Sequence, residues 1–61
     1  MYTYVLYLET GRKVIDAITF LSIMQSLNAE RTKVHVLKNG DQEHKVYYYT
    51  YNGETIGHAI N

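Results

Sequence analysis

Apolar and polar positions first alternate over residues 2–8, Tyr-Thr-Tyr-Val-Leu-Tyr-Leu. A strand there places Tyr2, Tyr4, Leu6 and Leu8 on one side and Thr3, Val5 and Tyr7 on the other. Both sides carry apolar groups, the pattern of a strand with neighbours on each face. After a polar break at 9–13 containing Gly11, the period changes. Over Val14 to Leu27, positions Val14, Ala17, Ile18, Leu21 and Met24 line up at about 100° per residue, and Phe20, Ile23 and Leu27 widen the stripe. This predicts an amphipathic helix over 14–27, with Asp16 in its first turn and Asn28 just past its end. An apolar arc that wide exceeds what one sheet face needs, so Phe20, Ile23 or Leu27 is expected to pack on something besides this chain's own sheet. The competing reading makes 12–18 a second strand, hairpinned to the first through Thr10-Gly11, with a shorter helix from about Phe20 to Asn28. The β-branched Val14, Ile15 and Ile18 support it.

The second half of the chain reads as three strands. Residues 33–38 alternate Val34 and Val36 against Lys33, His35 and Leu37. Residues 41–51, Asp-Gln-Glu-His-Lys-Val-Tyr-Tyr-Tyr-Thr-Tyr, lie between Asn39-Gly40 and Asn52-Gly53. Asn-Gly suits both left-handed positions of a type I′ turn, because Gly has no Cβ to clash and Asn tolerates the conformation. Two such turns predict a meander, with His35 opposite His44, Val34 opposite Lys45, Tyr49 opposite Ile56, Tyr48 opposite Gly57 and Tyr47 opposite His58. Val34, Val36, Tyr47, Tyr49, Ile56 and Ile60 then form the face under the helix. His35, Leu37, His44, Val46, Tyr48, Thr50, Thr55 and Ala59 form the other. A bulge at Gly40 would slip the first pairing by one residue and exchange the faces of the middle strand.

The chain has 61 residues. A domain of that length buries only about 60% of its unfolded surface, so help from tight packing, a ligand or self-association is expected. With no cysteine, neither a disulfide nor a thiolate metal site supplies it. A hydrophobic fraction of 46% excludes disorder by composition. Six basic and six acidic residues cancel, which removes any global field toward nucleic acid or anionic lipid. The start of the chain has no basic segment leading into an apolar run, and 14–27 is too short and polar to span a bilayer. A cytoplasmic location away from the membrane is expected.

The seven tyrosines are the most distinctive feature. Tyrosine joins large apolar area to a hydroxyl that stays wet, which suits interfaces, and the expected partner surface is Tyr7, Leu37, Val46, Tyr48, Phe20 and Ile23. Lys33, His35, Lys38 and Lys45 around Tyr48 offer an alternative, a platform for stacking single-stranded nucleic acid. Acidic residues among those lysines and the absence of RNA-binding motifs weigh against it. His35 and His44, facing each other, are two weak metal candidates without a third ligand. No nucleophile with a base at usable spacing and no glycine-rich phosphate loop is present, so neither catalysis nor a cofactor is expected.

These readings converge on a single α+β domain over 1–61, in the order β-α-β-β-β with a C-terminal antiparallel three-stranded meander. The expected function is that of a small non-enzymatic binding or regulatory protein, a homodimer that also meets another protein as an inhibitor or accessory factor. Products of phages and mobile elements often have this size.

Overall fold

The computed structural model describes the backbone of residues 1–61 and every side chain except those of Lys33, Val34, His35, Leu37 and Asn39. The elements are β1 Thr3–Leu8, β2 Gly11–Ile15, α1 Ala17–Leu27, β3 Glu30–Asn39, β4 Gln42–Tyr51 and β5 Glu54–Ile60. The strands form one antiparallel sheet in the order β2-β1-β5-β4-β3. The α+β class, the helix packed on the sheet and the C-terminal meander are as expected. β5 is the middle strand, because it pairs with β4 along one edge and with β1 along the other, joining the first hairpin to the last three strands.

The segment before the helix departs from the expected 14–27 helix. Val14 and Ile15 pair with Val5 and Tyr4 in β2, and the helix begins only at Ala17. Asp16 sets that boundary. Its backbone is extended (ψ 158°), and its carboxylate accepts a hydrogen bond from the Thr19 amide at 2.9 Å, capping one of the unpaired N–H groups of the first turn. Asn28 ends the helix in the left-handed conformation (φ 57°). The Asn28 amide donates to Gln25 O and the Ala29 amide to Met24 O, a Schellman pair. Replacing Asp16 with alanine is expected to lower the melting temperature by several degrees without altering the sheet. An unchanged melting curve followed by far-UV circular dichroism would count against the cap.

The buried stripe of α1 is also rotated from the expected one. Phe20 (0% exposed) and Met24 are buried, whereas Ile18 (81% exposed) and Leu21 face outward. With Tyr49 and Ala59 they make the core, and Tyr2, Tyr4, Leu6, Ile15, Ala29, Tyr47 and Ile56 pack around it. Ile18 and Phe20 lie about 200° apart around the helix, so packing the Phe20–Met24 line, spaced i, i+4, onto the sheet turns Ile18 to solvent.

Two registers decide which residues meet the helix. The second turn follows expectation: Asn52 (φ 52°) and Gly53 (φ 78°) are both left-handed, as type I′ requires, and Tyr51 pairs with Glu54. Two residues on, β5 bulges. Thr50 pairs with Thr55 but Tyr49 with Gly57, leaving Ile56 as the extra residue. The expected Tyr48–Gly57 and Tyr47–His58 pairs become Tyr48–His58 and Tyr47–Ala59. Ala59 therefore joins the core, and Ile60, expected there, pairs with Val46 on the other face. In the first hairpin the loop is Gly40-Asp41 rather than Asn39-Gly40, with Asn39 opposite Gln42. Gly40 is left-handed (φ 66°) in the first loop position and Asp41 is not, the signature of a type II′ turn. Pairing slides by two residues, which preserves the faces of β4, so Tyr47 and Tyr49 stay under the helix.

Candidate functional site

Because Tyr4, Leu6, Tyr47, Tyr49 and Ala59 pack toward α1, strand alternation turns Val5, Tyr7, Val46, Tyr48, His58 and Ile60 to the opposite face. No helix covers that face. It has an apolar centre of its own, since Val46 is only 4% exposed there, paired with Ile60. Toward the β2 edge, Val14 lies beside Val5 and is 66% exposed. Polar contacts stitch the middle together. Tyr7 Oη and His58 Nδ1 are 2.6 Å apart, their rings meet edge to face at 5.5 Å between centroids, and Tyr48 lies 6.2 Å from the same imidazole. The Arg12 guanidinium sits 4.4 Å above the Tyr7 ring, within cation–π range.

Burial, and secondarily the Arg12 charge, lowers the pKa of His58 below its usual 6.5. This favours the neutral imidazole, whose Nε2–H tautomer leaves Nδ1 able to accept a hydrogen bond from the Tyr7 hydroxyl. Asp16 is lowered as well, chiefly by its hydrogen bonds with Thr19. Both shifts have one sign: the unfolded chain binds the proton more tightly, so stability is lost as pH falls. For His58 the loss begins below about 6.5 and runs down through its depressed folded value; for Asp16 it begins below the ordinary 3.8. Urea midpoints are expected to fall from pH 7.5 to 5.0, and His58→Asn should remove most of that slope. A slope unchanged in the variant would assign it elsewhere.

On the helix side, four tyrosines cluster. Tyr2 meets Tyr4 and Tyr47 at centroid distances of 6.3 and 5.7 Å, and Tyr4 and Tyr49 each lie 5.1 Å from Phe20. Arg31 caps the Tyr47 ring at 4.9 Å. A hydrogen bond with Tyr47 and partial desolvation raise the Tyr2 phenol above its usual pKa. Sequence reasoning did not single out Arg31, because its approach to Tyr47 depends on a shift in β3 pairing between Arg31 and Lys33.

The expected partner residues separate in the structure. Tyr7 and Tyr48 share the uncovered face and remain partly exposed, and Ile23 is half-buried on α1. Phe20 is corrected: it is wholly enclosed by this chain's own core and has no surface for a partner. Val46 lies on the expected face but has little surface left. The side chain of Leu37 lies outside the described residues, as do those of Lys33 and His35. Among the nucleic-acid candidates, Lys38 lies 3.7 Å from the Glu43 carboxylate and Lys45 is exposed. His35 and His44 do not face each other. His35 pairs with Val46 and His44 with Leu37, and His44 Nδ1 donates to the Asn61 carbonyl at 2.5 Å. Among the described residues no three His, Cys, Asp or Glu come together to hold a metal. Among the described residues no helix is long and apolar enough to cross a membrane.

No family model matches the chain, and no curated protein or solved structure matches it either.

Proposed function

We propose that this chain is a non-enzymatic binding protein that acts through protein contacts and pairs with a second copy of itself across the uncovered sheet face. The observation that supports this reading is the amount of surface left open. The chain exposes 4714 Å² at 7.1 kDa, whereas a compact monomer of that mass exposes about 4,100 Å². Its radius of gyration, 11.9 Å, likewise exceeds the roughly 10.5 Å of a compact chain of this length. The excess of about 600 Å² approaches the roughly 800 Å² that each partner buries in a standard interface. A twofold pairing suits a self-complementary face of Val5, Tyr7, Val14, Tyr48 and Ile60, with aromatic groups at its centre and the charged Arg12 and Glu30 toward its edges.

Sedimentation equilibrium between 10 and 500 μM is expected to give twice the 7.1 kDa mass, with Val14→Lys and Tyr48→Glu each weakening association at least about tenfold while circular dichroism stays native. A strict monomer across that range would overturn the reading. So would salt-dependent capture of a mixed oligonucleotide pool that weakens on Lys45→Ala, which would replace self-pairing with nucleic-acid binding.

A further inference from the structure

The uncovered face is five strands wide, and β5 runs down its middle. Strands about 4.8 Å apart make such a face only about 20 Å across. An interface of about 800 Å² per partner therefore covers β5 wherever it is centred. At the middle of β5, on this face, stands the imidazole of His58.

Its neighbours on the face are aromatic or basic. Tyr7 of β1 has its Oη 2.6 Å from His58 Nδ1, Arg12 of β2 lies over the Tyr7 ring, and Tyr48 of β4 is 6.2 Å away between ring centroids. On β3, Lys33 is opposite Tyr48 and His35 opposite Val46, with their side chains outside the described residues. His44 is engaged with the Asn61 carbonyl. Glu30, the acid on this face, sits opposite Thr50 on the outermost strand, and α1 lies on the other side of the sheet. Among the described residues no carboxylate is within ion-pair distance of His58. Burial and the Arg12 charge both act against its protonation.

A proton taken from solvent onto Nδ1 turns both ring nitrogens into donors. The Tyr7 hydroxyl must then accept from Nδ1 instead of donating to it, and its own proton needs a new acceptor. Water supplies one on an open face. Between two sheets packed about 10 Å apart it does not, and an unmet hydroxyl is costly there. The new charge also joins Arg12 and, across a twofold axis, a second His58 and a second Arg12. Like charges repel most strongly where water has been removed. All of these costs fall on the paired form.

We infer, on the basis of the self-pairing proposed above, that His58 makes that pairing proton-dependent: two copies hold together while its imidazole is neutral and separate when it takes up a proton.

Sedimentation equilibrium at pH 7.5 and 5.5, with circular dichroism confirming a native fold at both, is expected to show the dimer Kd rising at least about tenfold at the lower pH. His58→Asn, neutral at every pH, should hold Kd constant over that interval, whereas His44→Asn should keep the native pH dependence. Arg12→Gln removes the neighbouring cation and should move dissociation to lower pH. By reciprocity, the His58 ring resonances should titrate at lower pH at about 500 μM chain than at about 20 μM. A monomer at both pH values would overturn self-pairing and this inference together. A dimer whose Kd is the same at both, or a pH dependence that survives His58→Asn, would overturn this inference and leave self-pairing standing.

Discussion

Phe20→Ala is expected to leave the chain largely unfolded at room temperature. Among the described residues Phe20 is the one large side chain that solvent does not touch at all, and it contacts Tyr4 and Tyr49 at 5.1 Å between ring centroids as well as Gly57 of β5. Truncating a buried phenylalanine costs about 3–5 kcal/mol, lost transfer free energy plus the cavity left behind. A chain of this length is stabilised by only about 3–9 kcal/mol in total. The neighbouring rings cannot close the gap without leaving the strands that hold them. Urea denaturation followed by tyrosine fluorescence, suited to a chain with seven Tyr and no Trp, measures the loss. A cost below about 1.5 kcal/mol would mean that Phe20 is not the keystone of this core.

The second large effect comes from the opposite change at the same contact. Gly57→Val is expected to cost about 3 kcal/mol, and Gly57→Ala about 1–2 kcal/mol, as overpacking does in a close-packed interior. Alanine in place of glycine normally stabilises through the unfolded state, by about 0.4–1 kcal/mol. Here that gain is outweighed. The added Cβ would lie 2.8 and 3.0 Å from the Phe20 ring and 2.9 Å from the Val5 carbonyl oxygen. The ring is enclosed and the carbonyl belongs to a paired strand, so neither yields easily. A double-mutant cycle with Phe20→Leu separates the two clashes. The Gly57→Ala cost should shrink by about 1 kcal/mol when the ring is gone, and the remainder reports on Val5. Additive costs would show that the helix does not seat on Gly57.

That contact also explains why parts of the register were not legible along the chain. A sequence that alternates through Thr55, Ile56, Gly57, His58, Ala59 and Ile60 offers Ile56 and Ile60 as the natural inward pair. The bulge at Ile56 instead brings Gly57 and Ala59 under the helix and keeps Ile56 packed against the core. The ring of Phe20 needs depth that only glycine allows, and this requirement comes from an element some 37 positions away in sequence. Likewise Arg31 meets Tyr47 only after β3 shifts its pairing near residue 32, so that contact had no local signal. The uncovered face was partly legible: Tyr7, Val46 and Tyr48 were expected there and do lie there, whereas Phe20 was not separable from Ile23 by helical spacing alone.

Local chemistry alone determined the α+β class, the C-terminal meander, the type I′ reversal at Asn52-Gly53 and the inward direction of Tyr47 and Tyr49. Each follows from backbone preference or period-two alternation within a few residues. Only the tertiary structure decided that Val14 and Ile15 extend β1's hairpin, that Gly40 occupies the first loop position, and that β5 bulges. Short β-branched segments satisfy helical and extended periods alike, and a one-residue slip changes no local energy until a helix must be packed on one side of the sheet.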